Sequence, residues 1–373
     1  MDKIVTDKPK VISLFSGCGG LDYGFESAGF EIPIANEFNK AIFSTYKANH
    51  PNTHLIEGDI TKVSTDEIEA ILWDEFSLDF NNIDGIIGGP PCQSWSTAGA
   101  GRGINDKKGQ LFYQYLRILK AVKPKFFLIE NVQGILAPKH RAALDSIVTD
   151  FDNAGYSIEI VRVNTAQYNV PETRIRVFFV GLLKNTGLQD VFQFPEPSDQ
   201  IVSLKQAIGD LKNTAVASNG TKHNPDAVNC NEYPVSGFSP RYCSKTRIRG
   251  WDKPGYTVLA GGRHQQLHPD SVIPTLNDRG LYSTLDGLRR ITVREAARIQ
   301  SFPDEFKFVY DYVDNGYLMV GNAVPPKMGE TIAVSFKNML KGVRNEQNVT
   351  KVNIIKRFDE PKIGKFKHLP IIV

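Results

Sequence analysis

The feature that most narrows what this chain can fold into is a repeated pairing of a short apolar run with a following turn and helical pattern. Val11-Ile12-Ser13-Leu14-Phe15 leads into the glycine turn Ser16-Gly17-Cys18-Gly19-Gly20 and a helical pattern over residues 21–28. Ile32-Pro33-Ile34-Ala35-Asn36 is a second run, ending at Glu37, and Leu55-Ile56-Glu57 is a third, ending near Asp59. Ile83-Asp84-Gly85-Ile86-Ile87 runs into Gly88-Gly89-Pro90-Pro91-Cys92-Gln93-Ser94, after which residues 111–122 read as a helix. Phe126-Phe127-Leu128-Ile129 ends in Glu130-Asn131-Val132, residues 139–154 read as a helix, and residues 157–163 and 174–181 as further strands. This alternation predicts an α/β fold with a doubly wound, mostly parallel sheet. Ligands of such sheets sit beyond the carboxyl ends of the strands.

Two prolines directly before Cys92 preset φ and cannot continue a strand ladder, so the chain leaves the sheet where the thiol appears. Ser94, Ser96, Thr97, Ala98 and Gly99 follow in a loop, and loops carry chemistry. A structural cysteine sits inside apolar periodicity; Cys92 does not, which makes it a candidate nucleophile. The expected topology sets Glu130 at the end of the neighbouring strand, so a thiol and a carboxyl share one cleft. Arg174 and Arg176, two apart at a strand start, are expected on one side of it. The loop over residues 93–108, rich in glycine and carrying Arg102, Lys107 and Lys108, is suited to close over a bound ligand.

The glycine turn points to a nucleotide-like ligand, and Glu37 lies where a carboxylate accepts ribose hydroxyls. Asp22, however, stands where a dinucleotide fingerprint needs its third glycine, which argues against a pyrophosphate. A nucleoside without phosphates, met by Glu37 and Asp59 at successive strand ends, fits better, and S-adenosylmethionine is the commonest such cofactor.

With 373 residues the chain is long enough for one large domain and a smaller one. Four cysteines (Cys18, Cys92, Cys230, Cys243), none in C-x-x-C spacing, argue against a zinc site and a disulfide framework, and for a reducing cytosol. The N-terminus has no signal-peptide core, and no apolar run approaches the ~20 residues of a membrane span. Net charge is only +3, but residues 241–263 hold six basic side chains against one acidic, and residues 342–373 hold seven against three. Local basic patches of this kind suit a polyanion. The alternation breaks down after Lys184, where Pro195, Pro197, Asn213, Asn219-Gly220, Asn224-Pro225, Pro234 and Pro240 mark an irregular segment. The expected organisation is a catalytic and cofactor-binding domain over 1–183, a target-recognition domain over 184–286, a return segment over 287–341 and a basic tail over 342–373.

Six segments occur in order: Phe15-Ser16-Gly17-Cys18-Gly19-Gly20-Leu21, Gly89-Pro90-Pro91-Cys92-Gln93-Ser94, Glu130-Asn131-Val132, Arg174-Ile175-Arg176, Arg289-Arg290-Ile291-Thr292-Val293-Arg294-Glu295 and Gly321-Asn322-Ala323-Val324-Pro325. Together they resemble the DNA (cytosine-5)-methyltransferase family of the bacterial restriction-modification type. The resemblance implies that Cys92 adds as thiolate to C6 of cytosine, that Glu130 bonds or protonates N3, that Arg176 grips O2, and that Arg174 helps hold the nucleotide or the Cys92 loop. It implies an S-adenosylmethionine site with Phe15, Gly17, Gly19 and Leu21 around methionine and adenine, Glu37 on the ribose and Phe38 stacked on adenine. Asp59 and Ile60 would meet the adenine edge, and Leu111 and Asn322 the methionine end. The implied partner is double-stranded DNA with its target base flipped out, bound by a monomer in the bacterial cytoplasm without metal or membrane. Glu172 and Asn169 depart from the family's frequent glutamine and glycine, which bears on the arginine loop and not on Cys92.

Arg247, Arg249, Arg263 and His264 are the expected DNA readers, since arginine's fork fits O6 and N7 of guanine. Arg247-Ile248-Arg249-Gly250-Trp251, Gly262-Arg263 and Gln266-Leu267-His268-Pro269 resemble the branch that methylates the inner cytosine of GGCC. A tRNA cytosine methyltransferase of the same fold would carry a Cys-Phe-Thr signature that is missing here. A non-catalytic DNA-binding relative would not need Cys92, Glu130 and the glycine turn intact. A small-molecule methyltransferase would have no use for a basic insertion over 184–286.

Overall fold

The computed structural model of the chain describes residues 8–91, 111–235, 248–272 and 287–342, and the backbone of Ile354–Ile355. β1 (Val11–Leu14), β2 (Ile34–Glu37), β3 (His54–Glu57) and β4 (Gly85–Gly88) are short, and every residue of β1, β2 and β4 is buried. Strands buried throughout are what a sheet covered on both faces requires. Between them run α1 (Gly20–Ser27), α2 (Lys40–Asn49) and α3 (Thr65–Phe76). Sequence patterning had not delimited α2 or α3, although each has a polar cap: Asn39 accepts from Ala41 N–H and Ser64 from Glu67 N–H. β2 begins at Ile34 rather than at Ile32, because Pro33 has no N–H to give a ladder.

The chain continues through α4 (Leu111–Val122), β5 (Phe126–Val132), α5 (Arg141–Asn153), β6 (Tyr156–Asn164), β7 (Glu172–Thr173) and β8 (Ile175–Leu183). The irregular segment holds α6 (Leu204–Ile208) and the two-residue strands β9 (Val216–Ala217), β10 (Glu232–Tyr233) and β11 (Gly255–Tyr256). α7 (Val293–Ile299), α8 (Val313–Asn322), α9 (Pro326–Leu340) and β12 (Ile354–Ile355) complete the described chain.

Among the described residues the main sheet runs β12-β6-β8-β5-β4-β1-β2-β3. β3, β2, β1, β4 and β5 are parallel, whereas β8 lies antiparallel between β5 and β6, and β12 is antiparallel to β6. The chain winds from β1 outward through β2 and β3, then returns to β4 on the other side of β1. The crevice above β1 and β4 is therefore the topological switch point. Because β8 runs backwards, its first residues and not its last reach the carboxyl edge: Glu130 faces Phe178 and Val132 faces Arg176.

Side chains alternate across the sheet. Ile12, Ile86, Phe127 and Ile129 pack with α3, α4 and α5, while Val11, Ile87, Phe126 and Leu128 pack with α1 and α9. Phe126 and Phe336 stack at 4.0 Å between centroids, fixing α9 against the sheet. A third cluster joins Leu204 and Ile208 of α6 and Val258 to α7 and α8, so the irregular segment shares a core with the returning helices. Among the described residues no helix is long and apolar enough to cross a membrane, and no group of three or more His, Cys, Asp or Glu is arranged to hold a metal.

Candidate active site

The chain leaves β1 through Phe15 (φ 56°) and Gly17 (φ 59°), and α1 is entered from Gly19 (φ 88°). These left-handed conformations fold the turn back on itself, with Gly19 N–H donating to the Ser16 carbonyl (3.0 Å). Ser16 N–H donates to the Asn36 carbonyl (3.0 Å), and Gly17 N–H to Glu37 Oε2 (2.9 Å). Glu37 Oε1 accepts from Asn39 N–H at 2.7 Å, which locks the carboxylate between the ends of β1 and β2. Burial pushes this carboxyl above its ordinary pKa, while the N–H groups of Asn39, Gly17 and Phe38 pull it back down.

Phe38 follows with its ring 71% exposed, an unusual place for a phenyl unless a flat partner covers it. One strand further out, Asp59 Oδ1 accepts from Thr61 N–H at 3.0 Å, and this bond holds the carboxyl below its ordinary pKa. Ile60 is buried, and its carbonyl accepts from Arg117. Leu111 opens α4 and packs against the core. Leu21 lies in the core cluster with Val324, Met328 and Ile332, so any part it has at this edge is through its backbone. Asn322 ends α8 and is exposed; a Cβ on Gly20 would lie 2.5 Å from the Val324 carbonyl oxygen, which brings this segment onto the glycine turn.

On the other side of the switch point, a Cβ on Gly88 would lie 2.1 Å from the Leu14 carbonyl oxygen, so only glycine fits. From the next residue, Gly89, the Cβ direction leads to Glu130 Oε2 at 3.5 Å. Buried Asn131 donates from Nδ2 to the Pro90 carbonyl (3.2 Å), tying the chain's exit from β4 to the end of β5. Cys92 lies outside the described residues, two positions beyond this tie. Arg176 Nε is 2.8 Å from Glu130 Oε1 in a largely buried ion pair, and Arg176 Nη1 donates to the Ile175 carbonyl.

Arg174 and Arg176 serve different partners, because β8 starts only at Ile175. Arg174 is enclosed, with its Nη2 donating to the carbonyls of Gly321 (2.9 Å) and Ala323 (3.1 Å) on either side of Asn322, and its Nη1 to Val258. Buried Glu172 accepts from Val258 N–H, and burial raises its pKa against the pull of Arg174. β11 pairs with β7 in parallel, Gly255 facing Glu172, and Thr257 Oγ1 donates to the Thr173 carbonyl (2.8 Å). Arg249 lies on the Tyr256 ring at 4.2 Å and reaches Thr173 Oγ1 at 3.5 Å, so it packs toward the arginine strand. Arg247 is outside the described residues. Arg263 and His264 are exposed on a 3-10 turn, Gly262–His264, braced by Arg290 Nε on the Arg263 carbonyl (3.2 Å) and by Gly262 N–H on Asp314 (2.9 Å). Sequence reasoning had not singled out Asn131 for its tie to Pro90, nor Tyr46 and His50, whose partners lie far away in the chain.

A switch point carrying a glycine turn and strand-end carboxylates on one side, and a Glu–Arg pair beside a Gly-Pro-Pro-Cys exit on the other, defines a methyltransferase type of site. The sequence profile of the C-5 cytosine-specific DNA methylases matches residues 9–338, and the chain belongs to that family. It is 50% identical over 344 residues to the Type II methyltransferase M.NgoPII of Neisseria gonorrhoeae, spanning 89% of this chain and 96% of that one. With the Type II methyltransferase M.FnuDI of Fusobacterium nucleatum it shares 44% identity over 340 residues, 89% and 95% of the two chains. A solved chain described as a DNA modification methyltransferase encoded within an E. coli prophage matches at a TM-score of 0.68 and 26% identity, over 90% of this chain and all of that one. Spodoptera frugiperda DNMT2 matches at 0.61 and 18% identity, covering 88% of this chain and 100% of that one, a likeness of fold. The protein is thus a DNA (cytosine-5)-methyltransferase, and family and fold imply S-adenosylmethionine as methyl donor.

Proposed function

We propose that the enzyme methylates C5 of a cytosine flipped out of double-stranded DNA through a covalent Cys92 adduct, and that it protects host DNA within a restriction-modification system. The observation that carries the reading is the Glu130–Arg176 pair, 2.8 Å apart, beside the chain that leads through Pro90 to Cys92. C5 of cytosine is a poor nucleophile. A thiolate bond from Cys92 to C6 pushes the C5–C6 electrons to C5, while Glu130 shares or donates a proton at N3 and Arg176 holds O2. Loss of the C5 proton to a base after methylation then expels the thiolate and restores the ring. Asn131 positions the exit of Cys92, and Arg174 ties the arginine strand to the segment of Asn322.

The residues at the β1 to β3 edge fit the cofactor. Glu37 has one backbone N–H on each oxygen and keeps lone pairs for ribose hydroxyls, and the exposed Phe38 ring offers a face to adenine. Phe15, Gly17, Gly19, Asp59, Ile60, Leu111 and Asn322 complete that edge. When bound there, S-adenosylmethionine supplies a methyl on a positively charged sulfur. Residues 1–183 and 287–341 form the catalytic part in this reading, 184–286 read the DNA through Arg247, Arg249, Arg263 and His264 at a guanine-containing site such as GGCC, and 342–373 are a basic tail.

Labelled cofactor with duplex DNA or tRNA tests the substrate class: label should enter DNA alone. Cys92→Ala should abolish transfer and retain DNA binding, and a duplex with 5-fluorocytosine at the target should trap a denaturation-stable adduct, since fluorine cannot leave as a proton. Turnover above a few per cent of wild type in the variant, or no adduct, would remove Cys92 from the mechanism.

A further inference from the structure

Beneath the glycine turn lies a buried polar chain that the chemistry above does not use. Ser13 Oγ donates to Asp22 Oδ1 (2.7 Å), Tyr46 OH donates to Asp22 Oδ2 (2.6 Å), and the Tyr46 ring packs tilted against His50 with centroids 4.5 Å apart. The His50 side chain is fully enclosed at the end of α2, with Nδ1 2.9 Å from Glu26 Oε2 on α1. Nδ1 donates to that carboxylate, which fixes the orientation of the ring. Nε2 has no hydrogen-bond partner among the described residues.

What Nε2 meets is Gly19. A Cβ built on Gly19 would lie 2.1 Å from His50 Nε2 and 2.6 Å from Cδ2, so the edge of the imidazole occupies the volume that a side chain at position 19 would need. Leaving a buried polar atom unpaired costs free energy, and such sites persist where the geometry is used. Here the ring sits under a residue at φ 88°, two positions after the N–H that holds Glu37.

We propose that His50 is a positioning residue for cofactor binding. Oriented by Glu26 and backed by Tyr46 and Phe306, it is the surface on which Gly19 is seated, which keeps Gly17 N–H on Glu37 and the carboxylate toward the ribose. This rests on the reading of the β1 to β3 edge as the S-adenosylmethionine site and adds the support that holds the turn in shape. A glycine turn without its floor samples other conformations, and a loosened support lowers affinity without touching the reacting atoms.

The test is a double-mutant cycle between positions 19 and 50, read by calorimetric titration with S-adenosylhomocysteine. His50→Ala should weaken binding about ten-fold, with kcat at saturating cofactor within about two-fold of wild type and duplex affinity unchanged. Gly19→Ala should be far more damaging in the wild-type background than in His50→Ala, where the colliding ring is gone. The left-handed strain at position 19 is common to both arms and cancels. His50→Asn, which retains an amide near Nδ1 for Glu26 but withdraws from Gly19, should weaken binding as His50→Ala does and serves if that variant does not fold. Amide exchange at Gly17 in the cofactor-free protein should quicken in both. A lowered melting temperature with unchanged affinity and exchange would make His50 merely structural and overturn the proposal, as would additive effects in the cycle. Failure of the wild-type protein to bind S-adenosylhomocysteine would instead overturn the cofactor reading itself.

Discussion

Two carboxylates, one ending β2 and one on α1, illustrate how differently burial can act. Glu37, held by two backbone N–H groups, faces the edge of the sheet; in the proposed reading its replacement by alanine removes a charge-assisted ribose bond of about 1.5–3 kcal/mol. The dissociation constant for S-adenosylmethionine should rise about ten- to a hundred-fold on titration, and an unchanged constant would put the ribose elsewhere. Asp22 is sealed inside, and burial pushes its pKa from 3.8 up to about 6, against the pull of His50, Tyr46 and Ser13 and with the help of Glu26. A carboxyl with a raised pKa in the folded state binds its proton more tightly there than in the unfolded chain. Its contribution is full below about pH 4 and is lost as pH rises through about 6, amounting to about 3 kcal/mol. Asp22→Asn should therefore remove a downward slope in stability between about pH 4 and 6, seen as the difference between variant and wild-type urea melts across that window. Parallel profiles would show that Asp22 titrates normally. Cys92, Glu130 and Glu37 stand out in the sequence as candidates because each follows an apolar run; His50 does not, because its contacts with Gly19 and Glu26 are brought to it from another helix.

At the level of elements, the packing of α1 on α9 overrides helix propensity. A Cβ on Gly24 would lie 2.4 Å from the Pro326 carbonyl oxygen and 2.5 Å from the Glu330 nitrogen. Alanine in a helix interior ordinarily gains about 1 kcal/mol over glycine, but backbone of the partner helix cannot yield, so Gly24→Ala should destabilise by about 1–3 kcal/mol. A denaturant midpoint shifted upward in the variant would refute that close approach. The antiparallel β8 is the other element-level result: by reversing direction it delivers Arg176 to Glu130, while Arg174, just before the strand, turns to Gly321 and Ala323. Two arginines two residues apart are equivalent in a strand pattern; the strand's starting point separates them.

At the scale of the whole molecule, the irregular segment meets the stretch leading into β8 through contacts of Val258, Thr257 and Arg249 with Glu172 and Thr173, and it exposes Arg263 and His264. Arg263→Ala should cost about 1–3 kcal/mol of discrimination and relax preference at a guanine, whereas Arg249→Ala should also lower turnover on every sequence. Bisulfite sequencing of plasmid DNA methylated by each variant distinguishes them; uniform weakening by Arg263→Ala would make it a phosphate contact. The sequence by itself determined the alternating fold, the carboxylates at strand ends, the exit from β4 at Pro90-Pro91 and the family, because apolar periodicity and turn residues act over a few positions. Only the tertiary structure decided that Glu130 pairs with Arg176, that Arg174 holds the segment around Asn322, and that His50 lies under Gly19. Those contacts join residues from 31 to 149 positions apart, and their geometry depends on strand direction and helix packing rather than on local pattern.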